Sequence, residues 1–127
     1  KDERFHGEAV CTAQQLRTPL LLKNLEGRVD LIPIALRRLA AHDREKDTQS
    51  CETLYHYLTC CHSLKKTSDA LYTHRNTVLY RIRRLQADFA IPLEEPSQHA
   101  DLLLGVSLIL FEIKGPDFFL RAPKNEA

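Results

Sequence analysis

Apolar residues recur at spacings of three and four along nearly the whole chain, and nowhere do they alternate at the period of two that a half-buried strand needs. Glycine, which hairpins and sharp bends use for left-handed backbone, occurs only four times. The Asn-Gly and Gly-Gly pairs that close tight hairpins are missing. Helices are the remaining way to pair the backbone, so the expected fold is all-α, a helical bundle.

Punctuation residues divide the helices. A first helix is expected over Glu8–Leu25, closed by Gly27, with a break or kink near Thr18 where Pro19 removes a donor. Pro33 suits the first turn of a second helix, Pro33–His42. The polar run Asp43–Gln49 is the expected junction, followed by a helix over about Ser50–Cys60. Ser63 can cap a short helix Leu64–Leu71. Tyr72-Thr73 reads as a turn, with Thr73 placed to cap the helix His74–Asp88. After Leu93–Pro96, a last helix runs to about Lys114, with Pro96 in its first position and Gln98 reaching back to the cap. Gly115-Pro116 ends it, and the tail carrying Phe118 and Phe119 is expected to dock. The division that follows is an N-terminal helical segment at 1–45, a domain at 46–115 and a tail at 116–127.

Overall charge is +1 and carries no functional hint, but its distribution does. Between Ala70 and Ala87 there is no acidic residue, while Arg75, Arg81, Arg83 and Arg84 are all present. Lys65 and Lys66 open the preceding helix. At about 100° per residue, Val78, Ile82 and Leu85 fall on one stripe, and Asn76, Thr77, Tyr80, Arg83 and Arg84 project opposite. Two short helices, a tight turn and a cationic outer face are how a helix-turn-helix looks in sequence, and binding of double-stranded DNA is the expected function. Arginine pairs with guanine and asparagine with adenine, so the first-turn residues His74, Arg75 and Asn76 are the expected base readers. Arg83 and Arg84 are expected on phosphates. The rival reading is a helical protein–protein interaction module whose arginine face meets an acidic partner; such a partner would not compete with duplex DNA.

The residue string is more specific than the pattern. Thr53-Leu54 with Tyr57-Leu58, Ser63-Leu64 with Thr67, and Ala70-Leu71 with His74-Arg75-Asn76-Thr77, Tyr80-Arg81-Ile82 and Arg84-Leu85 resemble the C-terminal DNA-binding domain of the PucR/CdaR family of bacterial transcriptional regulators. The match extends over about residues 33–110, through Leu39–Asp43 upstream and Pro92-Leu93 downstream, and the motif also looks like the Fis type. The resemblance implies a transcription regulator, commonly an activator of catabolic genes, with a sensory region that binds a small-molecule effector and precedes this domain. It carries the recognition-helix role to His74, Arg75, Asn76, Thr77, Tyr80 and Arg81. With Ser63, Lys65, Lys66, Arg83 and Arg84 these make the expected DNA-binding set. Ser68 stands where the family usually has alanine and is small enough to fit. Thr73 replaces an apolar turn residue and is expected to loosen the turn. Cys60-Cys61 replaces Asn and Gly, so the loop entering the motif is expected to take another shape.

Other chemistries fare worse. His56, Cys60, Cys61 and His62 cluster, but zinc sites use separated ligand pairs, and here every ligand comes from one helix end. The cysteines, Cys11 and Cys51 included, are read as reduced thiols of a cytoplasmic protein. No phosphate-cradling loop and no nucleophile elbow is present, so neither a cofactor nor catalysis is expected. The longest apolar run, Leu102–Phe111, is far short of the roughly 20 residues that span a bilayer, and no membrane association is expected. With no methionine, even at position 1, the chain is expected to be a piece of a longer polypeptide. The last helix is apolar almost all round and must be covered. Either the N-terminal helices cover it, or it or the first helix forms a homodimer, the partner that paired half-sites favour.

Overall fold

The computed structural model describes residues 13–120. Among the described residues there are seven helices and no strand: α1 (Ala13–Asn24), α2 (Ile34–Lys46), α3 (Ser50–Thr59), α4 (Leu64–Leu71), α5 (Arg75–Phe89), α6 (His99–Lys114) and α7 (Asp117–Leu120). Short 3₁₀ turns at Val29–Leu31 and Pro96–Gln98 precede α2 and α6. The all-α expectation is met.

The core is assembled around α3, which packs against α2, α4, α5 and α6. Leu36 and Leu39 of α2, Leu54 and Leu58 of α3, Val78, Ile82 and Leu85 of α5, and Leu102, Val106 and Leu110 of α6 are buried in one cluster. Each such side chain contributes roughly 1.5–3 kcal/mol by leaving water. The cluster runs from Leu22 of α1 to Phe118 of α7, so residues on both sides of position 45 share it.

Several boundaries differ from those read in the sequence. Of the break or kink expected near Thr18, there is no break: the first helix continues through Pro19, whose pyrrolidine is buried. The expected start of that helix lies outside the described residues. α2 runs four residues past His42, to Lys46, and Asp47 closes it in the left-handed conformation (φ 57°). The polar run is thus half helix rather than a junction. Its Asp43 carboxylate accepts the Ser50 and Cys51 N–H groups at 2.9 and 2.8 Å, which satisfies the start of α3 and ties α2 to it. Pro96 opens a 3₁₀ turn instead of α6, and Gln98 makes no side-chain cap.

Among the described residues α6 is the longest helix, and its own chain covers it. Residues 105–111 are all buried, against α1, α2, α3 and α7. At Gly105 a Cβ would come within 2.9 Å of both Leu36 Cδ1 and Pro33 Cδ, so glycine is what admits α2 so closely. The apolar girth of α6 therefore gives no reason for a second copy. The docked tail completes the cover: Phe118 and Phe119 set their rings 5.2 and 5.6 Å from that of Tyr55, both edge-on.

Candidate nucleic-acid interface

The motif begins at the loop between α3 and α4. Cys61 (φ 55°) and His62 (φ 64°) both take the left-handed conformation that glycine usually supplies, at about 1–2 kcal/mol each. His62 meets that cost partly by stacking on Tyr57, 4.6 Å between ring centres and 12° from parallel. The loop thus keeps left-handed backbone without glycine. Ser63 then caps α4 as expected, its Oγ accepting the Lys66 N–H at 3.1 Å. Behind it the buried Thr67 hydroxyl donates to the Ser63 carbonyl at 2.7 Å.

The turn into α5 holds the main surprise. Tyr72 ends α4 in the left-handed conformation with its side chain 79 % exposed. Thr73 does not cap α5. Its N–H donates to the Ser68 carbonyl and its hydroxyl to the Leu71 carbonyl, each at 3.0 Å, so it binds the turn back onto α4 where loosening was expected. The cap is His74, whose Nδ1 accepts the Asn76 N–H at 2.9 Å. Thr73 is turned away because its hydroxyl already has a partner in α4, and the imidazole stands next in line.

Along α5 the sequence periodicity is realised. Val78, Ile82 and Leu85 are buried against the bundle, and His74, Arg75, Asn76, Thr77, Tyr80, Arg83 and Arg84 are exposed. Lys65 and Lys66 are exposed on α4. The structure therefore presents nine of the eleven expected residues to solvent. The other two, Ser63 and Arg81, are half-buried. Arg81 sits beside Ile82 at the edge of the apolar stripe, and its guanidinium donates to the Thr53 hydroxyl of α3 at 3.2 Å. Thr53, itself buried, donates its hydroxyl hydrogen bond to the Gln49 carbonyl at 2.9 Å. Arg81 is thus a tie between α5 and α3.

Two acidic residues just outside the acid-free stretch complete the electrostatics. Asp69 pairs with Lys65 at 3.2 Å. Asp88 pairs with Arg84, which also donates to the Tyr80 hydroxyl at 3.1 Å. The Tyr80 hydroxyl first, and Asp88 next, hold the Arg84 guanidinium still more firmly protonated than usual. Both pairs follow i,i+4 spacing, a signal visible in the sequence and passed over there. Among the described residues, Lys66, Arg75 and Arg83 make no ion pair.

Among the described residues, no three His, Cys, Asp or Glu are grouped to hold an ion. His56 lies 5.3 Å from the Tyr55 ring and 5.8 Å from that of Phe118. Cys51 is buried, Cys60 half-buried and Cys61 exposed, all free thiols; Cys11 lies outside the described residues. No helix among the described residues is long and apolar enough to cross a membrane.

A capped helix, a tight turn and a second helix packed by one stripe, with a cationic face outward, define a DNA-binding helix-turn-helix. Residues 51–108 match the family model of the PucR C-terminal helix-turn-helix domain, and this part of the chain is a domain of that family. The match starts at Cys51, so Leu39–Asp43, assigned to the resemblance above, lies outside it. No curated protein and no solved structure matches the chain. The domain is one of transcription regulation, a class that is typically not enzymatic.

Proposed function

We propose that the chain binds double-stranded DNA sequence-specifically, with α5 in the major groove, as the C-terminal part of a cytoplasmic transcriptional regulator. The observation that carries this reading is the outward face of α5. Arg75, Asn76, Thr77, Tyr80, Arg83 and Arg84 stand exposed on a helix whose opposite side is locked into the core. Arg75 and Asn76, in the first turn, are placed to read bases. Lys66, Thr77, Tyr80, Arg83 and Arg84 are placed for phosphates, which fix register; Lys65 and Arg84 would exchange their carboxylates for phosphate. Ser63 and Arg81 shape the surface from behind.

The regulator is proposed to activate catabolic genes, to take a small-molecule effector through a sensory region upstream, and to act as a homodimer on paired half-sites. With α6 covered, α1 is the element that supports a dimer, since its Leu20 and Leu21 are 61 % and 52 % exposed.

Fluorescence anisotropy on random duplex DNA with a salt titration tests the reading. The chain should bind with a steep salt dependence, and an Arg75→Ala, Arg84→Ala double variant should lose about 1 in the slope of log affinity against log salt, from the Arg84 phosphate contact. On a selected operator, Arg75→Ala alone should relax sequence choice and Arg84→Ala weaken all sequences alike. A folded chain that ignores duplex at low salt, yet binds an acidic protein through the same face, would make α5 a protein-docking surface instead.

A further inference from the structure

We infer that His74 is a specificity-determining residue of the DNA surface, with one ring nitrogen committed to folding and the other left as a pure donor toward the base edges. The inference rests on the DNA-binding reading above and assigns the chemistry of one contact within it. Its basis is the cap. Nδ1 accepts the Asn76 N–H at 2.9 Å, so in the neutral ring that nitrogen carries a lone pair and the proton sits on Nε2. Free imidazoles exchange tautomers; this one is held in the Nε2–H form by the backbone it caps. The residue is exposed and stands between the turn and the first two exposed residues of α5, Arg75 and Asn76.

A ring fixed in this way can donate outward and cannot accept. In the major groove it is complementary to purine N7, guanine O6 and thymine O4, and opposed by the cytosine amine. Arg75 and Asn76 have paired preferences of their own for guanine and adenine. His74 therefore adds one further position to the site, at which an acceptor is required. A histidine chosen only to cap would be an odd solution, because serine, aspartate and asparagine cap at least as well with less to order.

His74→Ser separates the two roles, since serine restores the cap and lacks the reach. An operator is first selected with the wild-type chain from random duplexes; binding of wild type, His74→Ser and His74→Ala is then compared on that operator and on single-base changes of it. His74→Ser should melt like wild type. It should lose about five- to tenfold in preference at one base position per half-site. His74→Ala should lose both that preference and stability. In the DNA-free wild type, ¹⁵N–¹H spectra of the imidazole should show a pyrrole-type Nε2 and a pyridine-type Nδ1. The inference is overturned if His74→Ser keeps every preference of the wild type, or if the spectra place the proton on Nδ1. A folded wild type that selects no sequence overturns the DNA-binding reading with it, and that outcome is recognised before any variant is made.

Discussion

The four arginines of α5 face three kinds of surroundings. Arg75 and Arg83 stand exposed with no ion pair among the described residues, Arg84 is gathered in by Tyr80 and Asp88, and Arg81 reaches back to Thr53. Charge counting along the helix treats all four alike, but their effects should separate. Arg81→Ala should lower stability by about 1–2 kcal/mol through the lost charged hydrogen bond and stem packing. Urea unfolding measures this, and the salt slope of DNA binding should stay near that of wild type. If the slope dropped by about 1 with stability intact, Arg81 would be a phosphate contact after all. Asp88→Asn should act in the opposite sense to an arginine deletion. Freeing Arg84 and removing an acid should tighten binding to random DNA at low salt, with the salt slope near that of wild type because Arg84 meets a phosphate in both; unchanged affinity at low salt would mean that Arg84 never meets DNA.

At the level of elements, the helix-turn-helix was legible because its signals are local. A serine cap, an eight-residue helix and a stripe at Val78, Ile82 and Leu85 are all set within a few residues of one another. What misled were choices between neighbours. Thr73 and His74 can both cap, and only the prior bond from Thr73 to Leu71 decides between them. Pro19 forfeits a backbone hydrogen bond, yet the helix continues through it with the ring buried. Gly105 is a similar case, since in isolation an alanine there favours helix by about 1 kcal/mol. The close approach of Leu36 and Pro33 reverses the sign. Gly105→Ala should lower stability by about 1–2 kcal/mol in urea unfolding, because overpacking outweighs propensity. A more stable variant would show that α2 can move away freely.

On the scale of the whole molecule, the burial that builds one core around α3 also sets its response to alkali. Burial, then the neighbouring Asp43 charge, pushes the Cys51 thiol well above its ordinary range, and burial raises the phenols of Tyr55 and Tyr57. The native state keeps these protons to higher pH than the unfolded chain does. The stability they contribute is whole below the unfolded values, about 8.5 for a thiol and about 10 for a phenol, and is lost as pH rises beyond them. Urea midpoints between about pH 8 and about pH 11 should therefore fall steadily, and less so for Cys51→Ala. A flat profile would contradict the buried environment of these groups.

Sequence alone determined the helical class, the motif and which side of α5 faces out, because periodicity and capping act over one or two turns of chain. It also carried the resemblance that the family match places at residues 51–108. Tertiary structure decided the rest. Arg81 turned from a surface cation into a tie to Thr53, α6 was covered by its own chain, and Asp43 became the cap of a helix seven residues on. Each depends on which groups meet across helices, and a side chain's partners are set by packing, which no local pattern encodes.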